Sequence, residues 1–232
     1  MARHIGIVAC SAPGAALCFE TICAEAPQRM GRYAHPEVVL HCPSFADYMR
    51  ALEAGDWEAV GRLLLASAET LATIRADFAI CPDNTVHQAF PWVVPRSPIP
   101  WMHIADAVVD AAKACGFRRL AVLGTRYLME GPVYAEKLAL AHLEHRVPRP
   151  DERELVNRII FDELVCARVT ETSRHEVHAI IQRMRDEEGC DAVVLGCTEL
   201  PLLVLDEASP LPTLDSTRLL ARAAIDYAVA AR

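Results

Sequence analysis

Two short stretches carry residue types that can seat a carboxylate and move a proton: Cys81-Pro82-Asp83-Asn84-Thr85-Val86-His87 and Gly196-Cys197-Thr198-Glu199. Asn84 and Thr85 offer side-chain donors, and if they open a helix the neighbouring backbone N–H groups point outward as an anion seat. The same residue types are ordinary helix caps, so the triplet alone does not separate binding from capping. Cys197-Thr198-Glu199 repeats the arrangement. A thiol at a helix N-terminus gains thiolate character and suits a nucleophile or a base, whereas one buried against a sheet is inert. Gly196 permits close approach of backbone to ligand. His87 and Glu199 each lie near a candidate base, placed either to orient it or to sit on the surface of a helix.

Further polar groups stand where other loops should open. Ser11 to Gly14 follows the first apolar run, and Thr125-Arg126 occupies the equivalent place in the second half. Neither loop has the GxGxxG or GxxxxGK[ST] pattern, so NAD and ATP are unsupported. The nine cysteines never form a CxxC pair, and no histidine–carboxylate cluster has metal-ligand spacing. No cofactor and no metal are expected. Most of these cysteines, such as Cys10 in Ile7-Val8-Ala9-Cys10, read as small buried hydrophobes. Cys81 and Cys197 stand apart by their surroundings. His103 has only a bracing role in view.

The elements that must position these groups follow a strand–loop–helix rhythm. Ile5–Cys10 reads as a strand, followed by a helix to about Ala26, a strand at Val38–Leu40, a helix over Trp57–Ile74 and a strand at Phe78–Cys81. Phe90–Pro100 holds four prolines, excludes a helix and marks a crossing between halves. The pattern then restarts: helix 103–115, strand and loop 119–125, helix 129–143, a short strand near Val147, and two helical stretches between Asp151 and Glu188. Strand 192–196, a weak strand at Leu211–Leu214 and a helix from Ser216 complete it. Short apolar strands alternating with helices point to an α/β fold with parallel sheets covered on both faces.

Strands opening near Ile5 and Leu120, and strand ends at Asp83 and Cys197, repeat at an offset of about 115 residues. The expected domains are residues 1–98 with 210–232, and 99–209. Ligands in open parallel sheets sit beyond the carboxyl ends of the strands. Two facing sheets would then set Asp83 and Cys197 on opposite sides of one cleft. The chain has 232 residues, 53% of them hydrophobic, and a net charge of -8. That length and composition support a sizeable core. The acidic balance argues against nucleic acid or an anionic membrane as partner. No apolar run of about 18 residues is present, nor an apolar leader of signal-peptide type, so a cytoplasmic protein is expected.

These motifs resemble the aspartate/glutamate racemase superfamily, with its hydantoin racemases, maleate isomerases and arylmalonate decarboxylases. The resemblance rests on Ile5-Gly6-Ile7-Val8, Asp83-Asn84-Thr85-Val86-His87, Leu123-Gly124-Thr125 and, most specifically, Val194-Leu195-Gly196-Cys197-Thr198-Glu199-Leu200-Pro201. It implies two pseudo-symmetric flavodoxin-like domains with the active site between them. It also implies a homodimer and cofactor-independent proton transfer beside a carboxylate. Cys197 matches one of the two acid/base residues, and Asn84, Thr85 and Thr198 match groups that hold the substrate carboxylate.

Where the family has its other cysteine, directly before Asn-Thr, this chain has Asp83; Cys81 is two residues too early. The expected pair is therefore Asp83 and Cys197, with Ser11, Thr125 and Arg126 as further binding groups and His87 and Glu199 in support. From reference values, aspartate is a weaker base than a thiolate by about 4.6 pH units, or roughly 6 kcal/mol. Burial or a nearby substrate carboxylate narrows that gap. The leading expectation is a racemase or epimerase of an amino acid or related small carboxylate. A decarboxylase or cis–trans isomerase of a dicarboxylate, in which Asp83 only shapes the pocket, remains open, as does a non-catalytic binding protein.

Overall fold

A computed structural model describes residues 2–166 and 168–230. The chain divides into two units. One runs to Ile104 and takes in the chain again from Thr217; the other is Ala105–Ser216.

The first unit is built on strands β1 (Ile5–Val8), β2 (Val38–His41) and β3 (Phe78–Ile80), all parallel, in the order β2-β1-β3. Side chains alternate across the sheet, and both faces are covered. Ile5, Ile7, Ala9, Phe78 and Ile80 pack on one side with Cys18 and Ile22 of helix Ala12–Glu25 and with Leu220, Ala224 and Ile225 of helix Ser216–Val229. Val8, Cys10, Ala79 and Cys81 face the other side, toward Tyr48 of helix Phe45–Glu53 and Val60, Leu64 and Leu71 of helix Trp57–Thr73. This double coverage is why the strands read as continuous apolar runs rather than alternating ones.

The proline-rich stretch differs from its expectation. Phe90–Val93 is one helical turn, because Pro91 falls in the first turn, where its missing N–H costs no hydrogen bond. The chain then returns to β3 instead of leaving the unit. Ala79 N–H donates to Pro100 O at 2.8 Å, and Met102 N–H donates to Ala79 O at 3.0 Å.

The second unit carries β4 (Arg119–Leu123), β5 (Glu144–Arg146), β6 (Ala192–Leu195) and β7 (Thr213–Asp215), parallel in the order β5-β4-β6-β7. Its first three strands thus repeat the order of the first sheet. The helix expected over 129–143 is two, Arg126–Glu130 and Pro132–Leu140, broken at Gly131-Pro132. Val156, Ile160, Val177, Ile181 and Met184 pack against Ala121, Leu123, Val193 and Leu195. They come from helices Pro150–Asp162 and Glu171–Glu188, which Arg183 joins through Glu152. Arg183 reaches Glu188 and, at 4.0 Å, Glu187 as well, so one nearly buried cation answers three carboxylates.

Candidate active site

In the first unit the candidate residues lie just past the carboxyl ends of β1 and β3. Asp83 closes the turn after β3 on itself: its Oδ1 accepts the Thr85 N–H at 3.1 Å, starting the 3-10 turn Thr85–Ala89. Asn84 and Thr85 are buried within that turn, and Asp83 is half-buried. The carbonyl of Pro82, before Asp83, accepts a hydrogen bond from the Thr217 hydroxyl at 3.5 Å. Ser11 precedes helix Ala12–Glu25 at the end of β1, and its hydroxyl makes no capping bond to that helix.

His87 stands behind the turn that carries Asp83. Its Nε2 lies 2.9 Å from the carbonyl oxygen of Cys81, which can only accept, so Nε2 carries the proton and donates. The buried ring stacks on Phe90 (4.1 Å between centroids) and meets the edge of His103 at 4.5 Å. His87 therefore holds the backbone that leads into Asp83, and His103 holds His87.

Cys81 is fully buried, with its thiol 4.0 Å from the Asp83 carbonyl oxygen. Burial, and then the Asp83 charge, push this thiol well above the ordinary range. It stays neutral and structural. Sequence reasoning missed Cys10 as a neighbour of Asp83: its thiol is buried, and burial and then the Asp83 charge push it well above its ordinary range. The available signal was positional, since Cys10 stands three residues beyond Ile7, the partner of Ile80 in the β1–β3 ladder, and Asp83 stands three beyond Ile80.

In the second unit β6 ends at Leu195, whose carbonyl accepts the buried Ser216 hydroxyl at 2.8 Å. Gly196 then passes through a space with no room for a side chain. A Cβ there would meet Leu128 Cδ2 at 2.4 Å and the Leu123 carbonyl oxygen at 2.9 Å. Cys197 follows, half-buried, and its Sγ donates to Glu199 Oε2 at 3.0 Å. The Thr198 hydroxyl donates to the same oxygen at 2.6 Å. Glu199 is only 5% exposed, so Cys197 meets a carboxylate largely withdrawn from water. Both donors fit an ionised glutamate beside a protonated thiol.

Thr125 and Arg126 sit at the end of β4. The Thr125 hydroxyl oxygen caps helix Arg126–Glu130 by accepting the Leu128 N–H at 3.4 Å. Arg126 is exposed, its backbone N–H anchored on Asn157 Oδ1 at 2.8 Å. Each unit thus gathers its own candidates at the carboxyl ends of its strands. Among the described residues, no group of three or more His, Cys, Asp or Glu side chains could hold a metal ion, and no helix is long and apolar enough to cross a membrane.

Residues 5–224 match the model of the Asp/Glu/Hydantoin racemase family, and the chain belongs to that family. It is an enzyme of the racemase/isomerase type, acting on a small carboxylate. A crystal structure from Yersinia pestis with the Asp/Glu racemase designation superposes with a TM-score of 0.89 at 30% identity, covering 98% of this chain and 99% of the other. An aspartate racemase homologue from Pyrococcus horikoshii gives a TM-score of 0.85 at 28% identity, with the same coverage of both chains. The broad specificity amino-acid racemase RacX of Bacillus subtilis (strain 168) is 20% identical over 172 residues, 73% of each chain.

Proposed function

We propose that this enzyme inverts the configuration at Cα of a free amino acid, with Asp83 and Cys197 as the two proton-transfer groups and no cofactor. The observation that carries the reading is the Cys197–Glu199 pair at the end of β6, a thiol 3.0 Å from a buried carboxylate that can take its proton. The amino-acid substrate class is supported by the resemblance to the Bacillus subtilis racemase.

Two acids must stand in opposite protonation states for such a reaction. When Asp83 is ionised and Cys197 protonated, Asp83 withdraws the Cα proton and the Cys197 thiol supplies one to the opposite face of the carbanion. For the other enantiomer Cys197 acts as thiolate, its proton having passed to Glu199, and protonated Asp83 is the donor. The Asn84, Thr85, Ser11 and Thr198 groups hold the substrate carboxylate, with Thr125 and Arg126 completing the binding set. His87 and Glu199 support the two bases from behind. The same reading makes the enzyme a cytoplasmic homodimer, which light scattering of the purified protein tests.

Single enantiomers incubated in deuterated water should gain deuterium at Cα and lose optical activity. C197A should abolish inversion. D83N should abolish inversion and stop exchange from the enantiomer that Asp83 deprotonates. Absence of exchange across the common amino acids overturns the reading, and full turnover in D83N transfers it to a dicarboxylate isomerase or decarboxylase in which Cys197 works alone.

A further inference from the structure

The chain passes from the second unit back to the first between Ser216 and Thr217, in the first turn of helix Ser216–Val229. Both side chains are buried. A hydroxyl at a helix start ordinarily accepts a hydrogen bond from the helix's own N–H groups. These two donate, and each donates to a backbone carbonyl where a strand of its own unit gives way to its loop. Ser216 serves Leu195, two residues before Cys197, and Thr217 serves Pro82, the residue before Asp83.

In the second unit the anchored group is the whole Leu195–Gly196 peptide. Its carbonyl accepts the Ser216 hydroxyl at 2.8 Å, and its N–H donates to the Leu123 carbonyl at 2.7 Å. The Leu128 side chain closes the space beside Gly196. The peptide cannot rotate without breaking a buried hydrogen bond, and Cys197 is the next residue along. In the first unit Pro82 has no N–H, so its carbonyl is the one backbone group through which hydrogen bonding can hold it. The Cys81 carbonyl before it accepts the His87 Nε2–H at 2.9 Å, and the Pro82 carbonyl accepts the Thr217 hydroxyl at 3.5 Å. Two consecutive carbonyls are thereby tied down immediately before Asp83. The Thr217 bond is the longer of the two hydroxyl bonds and the weaker.

We propose that Ser216 and Thr217 are positioning residues, Ser216 for Cys197 and Thr217 for Asp83. Neither touches a reacting atom. Each fixes the backbone from which an acid/base side chain projects, and so the line along which its proton travels. Proton transfer needs the base within hydrogen-bond reach of the Cα–H, so a loop that drifts costs rate before it costs fold. A hydroxyl that only satisfied a buried carbonyl would, when removed, slow both directions of the reaction alike. Positioning divides them, because Ser216 acts on one proton-transfer group and Thr217 on the other. The proposal rests on Asp83 and Cys197 being those two groups.

Hydrogen exchange tells the two apart. In deuterated water, single enantiomers of aspartate, glutamate, alanine and lysine report exchange at Cα into recovered, uninverted substrate, which calls only on the base serving that enantiomer. C197A and D83N first assign the enantiomers, since each should stop exchange of one and spare the other. S216A should then slow exchange of the enantiomer served by Cys197 by about tenfold or more, and leave the other within about twofold of wild type. T217V should show the reverse pattern, with a smaller loss in keeping with its longer bond. T217S keeps the hydroxyl and should match wild type. S216C, close to serine in volume and a weaker donor, should fall between wild type and S216A. Circular-dichroism melts establish that each variant is folded at the assay temperature, and where S216A is not, S216C carries the comparison. Equal slowing of both enantiomers in the Ser216 variants, or slowing of neither, overturns the positioning role while the two-base reading stands. Selective loss in S216A with none in T217V overturns the Thr217 half alone. If C197A and D83N are not selective for opposite enantiomers, the two-base reading falls and takes the proposal with it.

Discussion

Cys197 Sγ lies 3.0 Å from Glu199 Oε2, and the same oxygen accepts the Thr198 hydroxyl at 2.6 Å. One buried carboxylate oxygen thus answers two side chains of its own loop. The arrangement opposes a thiolate while both groups would be charged, yet gives the thiol proton somewhere to go. E199Q separates these effects. Turnover should fall by about 10²–10⁴-fold through loss of the proton acceptor. Alkylation of Cys197 by iodoacetamide at neutral pH, followed by peptide mass spectrometry, should become faster, because the opposing charge is gone. Slower alkylation in E199Q would reverse the role given to Glu199.

His87 carries a different kind of load. Its Nε2–H is the partner of the Cys81 carbonyl, and its ring fills the space between Phe90 and His103. H87A leaves that carbonyl unpaired beside a cavity, and should cost about 2–4 kcal/mol in urea unfolding. H87Q keeps a donor and should lose less. Substrate KM should rise in H87A, since Asn84 and Thr85 stand on the turn that this bond steadies.

Gly196 has no substitute of larger size. In G196A the new methyl meets a movable Leu128 side chain and an immovable Leu123 carbonyl. The expected loss is about 1–3 kcal/mol of stability, with activity falling because Cys197 is the next residue. Adding L128A should restore only part of either, and a full rescue would show the backbone contact to be harmless.

Alkali should weaken the fold through buried thiols. Burial pushes Cys190 up to about 11, and burial followed by the Asp83 charge holds Cys10 and Cys81 well above their ordinary range. In the unfolded chain such thiols ionise near pH about 8.5. The stability gained by keeping them neutral is complete below that value and is lost as pH rises toward the folded values. Chemical denaturation between neutral pH and about pH 10 should show the unfolding free energy falling, and C190A should flatten the fall. An unchanged slope in C190A would place the alkaline transition elsewhere.

The strand ends were legible in the sequence because short apolar runs followed by polar loops have one economical reading, and Asp83 and Cys197 both stand at such ends. The repeat of strand and loop at an offset of about 115 residues was legible for the same reason; the order of strands within each sheet was not. Phe90–Val93 was not, because a count of prolines hides where each proline falls within a helical turn. The break at Gly131-Pro132 was lost inside a longer apolar periodicity. Cys10 was invisible as a neighbour of Asp83. In sequence it ends an apolar run and looks like core, and only the pairing of β1 with β3 brings it to a carboxylate 73 positions away.

Placing the first strand of each sheet between its second and third has a consequence for inheritance. The loops after the first and third strands become neighbours although dozens of residues separate them in the chain, as Gly124 and Gly196 also illustrate: a Cβ on Gly124 would stand 3.1 Å from the Gly196 carbonyl oxygen. A change at one loop alters the space or the hydrogen bonds at the other. Positions 10 and 83, and positions 124 and 196, should therefore co-vary among descendants of this fold, each pair drifting as a unit.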